Sequence, residues 1–159
     1  MNCFLIVSFW PQDPLAQGGP RHLGPATTLA EIAKTYIGVD QGGKILDSST
    51  RDSVVRFAMN AQSFQLTQRR AKEENTSGKT MGEAISIFKL YGATLARDGA
   101  EFRAQMMGSQ GYGWEGEGFA TEELEATRAF LSSRAHTIYG GTNEVQRNII
   151  AKRVLGLPD

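Results

Sequence analysis

The chain has 159 residues, and its 17 basic and 17 acidic side chains give a formal net charge of zero. Hydrophobic residues make up 40% of it and charged residues 21%, which is typical of one soluble globular domain with its own core. The balanced charge, with no basic stripe, argues against nucleic acid or an anionic membrane as partner. The single cysteine, Cys3, excludes an internal disulfide framework and favours a reducing, cytoplasmic location.

Residues 1–26 are predicted to form an irregular tail. Four of the chain's five prolines lie in this stretch, together with three glycines, and such a composition favours extended loops. The apolar run over residues 3–10 is much shorter than the ~20 residues that span a bilayer, so no membrane span is predicted. A wrongly placed start of the coding sequence would also explain this tail, and a partner-binding strand is the alternative.

Helical periodicity begins at Thr27, which we expect to cap the first helix. The pattern breaks over residues 38–47, and a second cap at 47–50 should start a long helix that ends near Glu74. The residues predicted to face inward in these two helices are Leu29, Ile32, Ala33, Tyr36, Ile37, Val54, Phe57, Ala58, Ala61 and Phe64.

A third helix is predicted from about Met81 to Met107 and a fourth from about Thr121 to Ser133. Gly92 and Gly99 in the third helix are two turns apart, which suits close packing of a neighbouring helix. The predicted inward residues are Ala84, Ile87, Phe88, Tyr91, Leu95, Phe102 and Met106 in the third helix, and Leu124, Phe130 and Leu131 in the fourth. Between the two helices, Tyr112 and Trp114 should cover the loop, and the five glutamates of residues 115–125 should be solvated.

The segment that begins Tyr139-Gly-Gly-Thr-Asn-Glu144 is predicted to be a tight loop that opens a final helix. Thr142 and Asn143 are both good N-cap residues, and Asn143 has capping-box spacing to Gln146, with Asn143 as the cap. A glycine loop that enters a helix presents free backbone N–H groups to an anion or a polarised carbonyl oxygen. Residues 27–159 are thus predicted to be an all-α, antiparallel bundle of about five helices.

Two stretches carry a family resemblance. The ungapped run from Ile138 through Tyr139-Gly-Gly-Thr-Asn-Glu-Val-Gln-Arg147 to Pro158 resembles the C-terminal end of the flavin-dependent acyl-CoA dehydrogenases. Gln105-Met-Met-Gly-Ser-Gln-Gly-Tyr-Gly113 extends the resemblance, which reaches more loosely back to about Thr28. It implies the last helical domain of that family, an acyl-CoA thioester as substrate and flavin adenine dinucleotide (FAD) as cofactor. It also implies a homo- or hetero-oligomer assembled through the bundle.

The resemblance assigns roles to single residues. Gln105 and Gly108 match positions that contact the FAD of a neighbouring subunit, and Ser109 stands where relatives have a second glycine. Thr142 and Glu144 likewise match positions that contact FAD.

The resemblance also implies that Tyr139 and Gly140 line the thioester site, with the Gly140 N–H polarising the thioester carbonyl. Many relatives have a glutamate base at the position of Gly140, and glycine cannot act as a base. Other relatives carry the base early in the same domain, where this sequence offers no match, so no catalytic base is assigned. Glu31 is interpreted as a solvated surface residue. His136 is interpreted as a histidine that packs beside Ile138, and no metal site is predicted.

The helical pattern and the family resemblance leave two functions open. The first is FAD-dependent α,β-desaturation of an acyl-CoA thioester, by a truncated chain or one part of a split enzyme that needs a partner chain. The alternative is a non-catalytic helical subunit that stabilises an oligomer. The sequence leaves open the acyl chain length, the electron acceptor, the identity of the base, whether residues 1–26 are genuine and whether the chain is active alone.

Overall fold

The computed structural model describes residues 25–76, 82 and 84–158. It contains five α-helices: α1 Pro25–Tyr36, α2 Ser48–Thr76, α3 Ala84–Met106, α4 Thr121–His136 and α5 Asn143–Ile149. A 3₁₀ turn, Gly108–Tyr112, follows α3, and a π turn, Ile150–Val154, continues α5. Over the described ranges no strand forms, and only the bridge between Val39 and Ile45 is β-like. The predicted all-α bundle is confirmed.

Helix α1 begins earlier than predicted. Its first residue is Pro25, so Thr27 lies inside the helix and does not cap it. Proline is favoured at the first helical position, because the N–H that it lacks would have no intrahelical partner there. The predicted inward face is correct, since Leu29 and Ala33 are buried. The rest of the predicted tail, residues 1–24, and the predicted start of the third helix at Met81 lie outside the described residues.

The start of α2 is held by Asp47. Its Oδ2 accepts hydrogen bonds from the Thr50 N–H at 2.7 Å and from the Ser49 hydroxyl at 2.8 Å. Hydrogen bonding by the Thr50 side chain, by the Ser49 side chain and by the Thr50 N–H lowers the pKa of Asp47 to about 2, because it favours the ionised carboxylate. Val54 and Phe64 are buried as predicted, whereas nearly all of α2 beyond Phe64 is exposed.

Helix α3 is the central element and packs against α1, α2, α4, α5 and both short turns. Phe57 of α2 lies over Gly99, where an added Cβ would come within 2.7 Å of the Phe57 Cζ, and Gly92 is buried. The prediction that these glycines permit close packing therefore fits. The expectation that Ile87 and Tyr91 point inward is wrong, since they are 39% and 42% exposed. The Phe64 ring contacts the Tyr91 ring, with the ring centroids 5.4 Å apart.

Helix α4 packs on α3 through small and polar side chains. Its buried residues are Glu123, Ala126, Thr127 and Ser133. Leu131 was predicted to face inward, but it is 53% exposed and lies outside this face. The Arg134 guanidinium binds the Glu101 carboxylate at 2.9 Å and so joins the two helices.

Glu123 corrects the prediction that all the acidic residues before and within α4 are solvated. It is only 7% exposed, whereas Glu122 and Glu125 are exposed. One carboxylate oxygen accepts from the Ala120 N–H at 2.8 Å, which satisfies a free donor at the start of α4. The other accepts from the Tyr36 hydroxyl at 2.8 Å, which ties α1 to α4.

The loop between α3 and α4 packs on α3 through its backbone. Tyr112 and Trp114 are 59% and 55% exposed, so the prediction that they cover the loop is wrong. Gly111 instead packs so tightly on α3 that an added Cβ would lie 2.3 Å from the Ala104 carbonyl oxygen. The Thr127 hydroxyl also donates to the Gly111 carbonyl at 2.9 Å.

We expect Gly111→Ala to destabilise the fold by about 1–3 kcal/mol, because the new methyl group meets backbone that cannot rotate away. The matched control is Gly118→Ala, where an added Cβ has no atom within 4 Å, and it should change stability by less than about 0.5 kcal/mol. Urea unfolding followed by circular dichroism measures both. Equal effects in the two variants would contradict the close packing of the 3₁₀ turn on α3.

The Tyr36–Glu123 bond should make stability depend on alkaline pH. Burial raises the pKa of Tyr36, and its hydrogen bond to Glu123 and the charge of that carboxylate raise it further. Because the pKa of Tyr36 is higher in the folded than in the unfolded chain, its protonated hydroxyl stabilises the fold fully below the unfolded pKa of about 10. This stabilisation is lost as the pH rises through the folded pKa. Tyr36→Phe should therefore cost about 1 kcal/mol at neutral pH, with a smaller difference from wild type above about pH 10. Urea unfolding across this range tests it, with Tyr112→Phe as the exposed control.

Candidate functional site

A glycine loop joins α4 to α5. Gly140 and Gly141 adopt φ values of +68° and +94°, a left-handed conformation that glycine accepts readily. Thr142 then caps α5, because its hydroxyl oxygen accepts from the Val145 N–H at 3.4 Å. The prediction that Asn143 is the cap is wrong. Asn143 has already entered α5 and is buried, and its side-chain amide donates to the Thr94 hydroxyl at 3.5 Å.

Both glycine carbonyls in this loop are held by side chains. The buried Gln146 amide donates to the Gly140 carbonyl at 3.1 Å. Lys89 of α3 donates from Nζ to the Gly141 carbonyl at 2.5 Å. Across residues 25–76, 82 and 84–158, no hydrogen-bond acceptor is assigned to the N–H groups of Gly140, Gly141 and Thr142. The loop thus offers backbone donors, as its sequence predicts.

Tyr139 and His136 form a pair at the end of α4. The Tyr139 hydroxyl and His136 Nδ1 are hydrogen-bonded, and the two rings meet edge to face with centroids 5.4 Å apart. Ile138 is 62% exposed, and the interpretation that His136 packs beside it stays a prediction. Tyr139 itself is 46% exposed.

Two opposite charges lie beside the loop. Hydrogen bonds from its own backbone N–H and from the Thr142 side chain lower the pKa of Glu144, and the charges of Arg147 and Lys89 lower it further. Burial lowers the pKa of Lys89, and the charge of Glu144 opposes that shift. Lys89 is not among the site residues predicted from the sequence. The sequence pattern that could have indicated Lys89 is its position as the single charged residue of the run over residues 84–96. An unpaired charge is costly to bury, so such a residue needs a partner.

The second predicted segment follows the end of α3. Gln105 is exposed, and its amide donates to the Glu101 carboxylate at 3.4 Å. It borders a cavity of 260 Å³ whose other lining residues include Ser49, Thr50, Ser53 and Phe102. Gly108 has φ +57°, and an added Cβ there meets no atom within 4 Å. Ser109 is also exposed.

The chain does not bring these two segments into one pocket. Lys89 anchors the glycine loop to the first part of α3, whereas Gln105 is almost at the last residue of that helix. At ~1.5 Å per residue the two points lie about 24 Å apart along α3. Tyr139, Gly140, Thr142 and Glu144 therefore form one group, and Gln105, Gly108 and Ser109 form another.

Two further observations concern metal ligands and membrane crossing. Among residues 25–76, 82 and 84–158, no three His, Cys, Asp or Glu side chains are grouped as metal ligands would be. In the same residues, no helix has both the length and the apolar run for a membrane crossing. Glu31, interpreted from sequence as a solvated residue, is exposed.

Comparison with known proteins identifies the family. The model of the acyl-CoA dehydrogenase C-terminal domain matches residues 20–155. The chain belongs to the acyl-CoA dehydrogenase family. The boundary predicted near residue 27 stays a prediction, since the family match begins within the expected tail.

Curated relatives carry the same family name. Over 73 residues the chain is 47% identical to acyl-CoA dehydrogenase IpdE1 of Mycolicibacterium smegmatis, a match that covers 46% of this chain. Over 117 residues it is 31% identical to acyl-CoA dehydrogenase FadE34 of Mycobacterium tuberculosis, which covers 74% of this chain. The matched regions are 18% and 15% of those two proteins, so the chain spans under a fifth of their length.

A solved structure shares the fold. A chain of the ChsE4–ChsE5 complex from Mycobacterium tuberculosis superposes with a TM-score of 0.65 at 22% sequence identity. The match covers 85% of this chain and 35% of that one.

We expect Gly141→Ala to destabilise the glycine loop for two reasons. An alanine at φ +94° costs about 1–2 kcal/mol, and its Cβ would lie 2.7 Å from the Gln146 amide that holds the Gly140 carbonyl. Gly43→Ala is the matched control, because Gly43 has φ +73° but no atom within 4 Å of an added Cβ. Urea unfolding should show a further loss of about 1 kcal/mol in Gly141→Ala. Equal losses would mean that the Gln146 contact contributes nothing.

Proposed function

We propose that this chain supplies the C-terminal helical domain of an FAD-dependent acyl-CoA dehydrogenase, which desaturates an acyl-CoA thioester between the α and β carbons. The observation that carries the proposal is the glycine loop between α4 and α5, whose carbonyls are held while its N–H groups have no assigned acceptor in the described chain. Main-chain donors fixed in this way suit an oxygen that gains negative charge during reaction. A cytoplasmic location is part of the same proposal.

The residues of both segments fit a bound FAD at an open surface. The space beside Gly108 is empty, Ser109 is exposed, and the loop N–H groups are available for a polar ligand. Gln105, Gly108 and Ser109 would hold one part of a cofactor, and Thr142 and Glu144 would contact another. Because these two groups of residues lie about 24 Å apart along α3, they would contact two different FAD molecules or two separate sites of an oligomer.

When bound, FAD accepts the hydride that leaves the β-carbon. This chain contributes binding and orientation. The Gly140 N–H would donate to the thioester carbonyl oxygen, which acquires enolate character as the α-proton leaves. Tyr139, held by His136, would line the same site. Gly140 has no side chain to take the proton, so we assign the base to no residue of this chain.

The remaining parts of the flavin site would come from a partner chain or from further sequence. The chain matches under a fifth of the length of its curated relatives, so most of such an enzyme lies elsewhere. The solved structure with the same fold is a complex of two differently named chains, which is consistent with assembly from unlike subunits.

A non-catalytic role is the second candidate, and exposed apolar side chains favour it. Val55, Met59 and Leu66 on α2 and Leu155 and Leu157 near the chain end are each more than half exposed. Exposed apolar side chains mark a protein contact when they join into one large patch, and the spacing of Val55, Met59 and Leu66 puts these three on one face of α2. On this view the chain would stabilise an oligomer and would contact no flavin.

Reconstitution separates the two candidates. The purified chain is mixed with FAD alone, and then with FAD and IpdE1 of Mycolicibacterium smegmatis from which the matching C-terminal region has been deleted. The proposal expects no bound flavin in the first mixture and, in the second, a yellow complex that acyl-CoA bleaches. A colourless complex would favour the structural subunit, and no complex at all would contradict both assignments for this pair.

A matched pair of variants tests contact with the cofactor in the complex. Gly108→Val places a side chain in open space at φ +57°, and Gly156→Val does the same at φ +63° near the chain end. Both carry the same backbone strain. Only Gly108→Val should weaken FAD binding, by roughly 5- to 150-fold for a lost contact of about 1–3 kcal/mol. Equal FAD affinity in the two variants would remove Gly108 from the cofactor site.

A further inference from the structure

Lys89 connects two distant parts of the chain. It lies on α3 and is partly buried, and its Nζ donates to the Gly141 carbonyl oxygen at 2.5 Å. Gln146, on α5, holds the neighbouring Gly140 carbonyl from a buried position. The two consecutive peptide groups that follow Gly140 and Gly141 are therefore each anchored at the oxygen end.

Because the two carbonyls are held, peptide geometry fixes the direction of the Gly141 and Thr142 N–H groups. No cis peptide bond occurs in the part of the chain that the structure describes, and in a trans peptide the C=O and N–H bonds point in opposite directions. With the Gly140 and Gly141 carbonyls turned toward Gln146 and Lys89, the N–H groups of Gly141 and Thr142 must point away from them. No acceptor is assigned to either N–H within those residues.

The charge on Lys89 adds an electronic effect. A hydrogen bond from an ammonium group to a carbonyl is stronger than one between neutral partners. It also polarises the peptide group, so the N–H at its other end becomes a better donor. The peptide between Gly141 and Thr142 receives this effect directly. Glu144 is the opposite charge nearby, and its interaction with Lys89 favours the charged ammonium.

We propose that Lys89 is a positioning residue for the glycine loop, which it anchors through the Gly141 carbonyl so that the Thr142 N–H is presented to an electron-rich oxygen of the ligand. Gln146 does the same for the Gly141 N–H. The donor pair fixed in this way is Gly141 and Thr142, one position beyond the Gly140 N–H that the family resemblance indicates. The identity of the ligand rests on the proposed function, whereas the positioning role does not.

Amide hydrogen exchange measured by NMR tests the positioning in the chain itself. The reporter is the Asn143 N–H, which closes the loop by donating to the Thr137 carbonyl at 3.1 Å. Lys89→Met should accelerate its exchange roughly tenfold, because the anchor of the loop is lost. Lys89→Arg keeps a cationic donor and should restore slow exchange, which a requirement for lysine packing alone would not predict. Lys34→Met, on the exposed side of α1, is the control.

A measurement on the wild-type protein covers the case in which Lys89→Met does not fold. The ammonium protons of Lys89 should exchange with water more slowly than those of the exposed Lys34, since one of them is held by the Gly141 carbonyl. Equal ammonium exchange for the two lysines, or unchanged Asn143 exchange in a folded Lys89→Met, would overturn the proposal. A failure of the wild-type chain to form a flavin complex would count against the proposed function and would leave these results intact.

Discussion

The packing of every other helix on α3 is the constraint on which the rest of the structure depends. Small residues contribute to this packing, because Gly99 leaves room for the Phe57 ring of α2 and the buried face of α4 includes small side chains. The same helix positions both candidate segments, one through Lys89 and the other at Gln105. A displacement of α3 would therefore move both together, although neither segment contacts the other.

In the glycine loop, the Gly140 and Gly141 carbonyls accept hydrogen bonds, while the loop N–H groups have no assigned acceptor in the described chain. Lys89 and Gln146 reach it from two different helices, so its shape depends on tertiary packing as well as on its own glycines. A binding surface that is organised before the ligand arrives loses less entropy on binding than a flexible one. The folded chain would thus contribute a preorganised loop to a binding site whose remaining residues belong to a partner chain or to further sequence.

Much of the fold could be predicted because apolar periodicity indicates α2 and α3, and the cap at Asp47 marks the start of α2. The misses have physical causes. The buried face of α4 consists of Glu123, Thr127 and other small or polar residues, which hydrophobic periodicity cannot detect. Thr142 and Asn143 have similar capping propensity, and the contact of Asn143 with Thr94 decides between them. Lys89 needed the structure, because its partner lies far away in the sequence.

The left-handed backbone at Gly140 bears on how this loop could change over evolutionary time. At φ +68° any residue with a Cβ at position 140 would be strained by about 1–2 kcal/mol. Replacement of Gly140 by a glutamate would thus place a carboxyl group here only in a strained turn. An unstrained carboxylate at position 140 requires a different backbone conformation. The hydrogen bonds from Gln146 and Lys89 to the Gly140 and Gly141 carbonyls oppose that change.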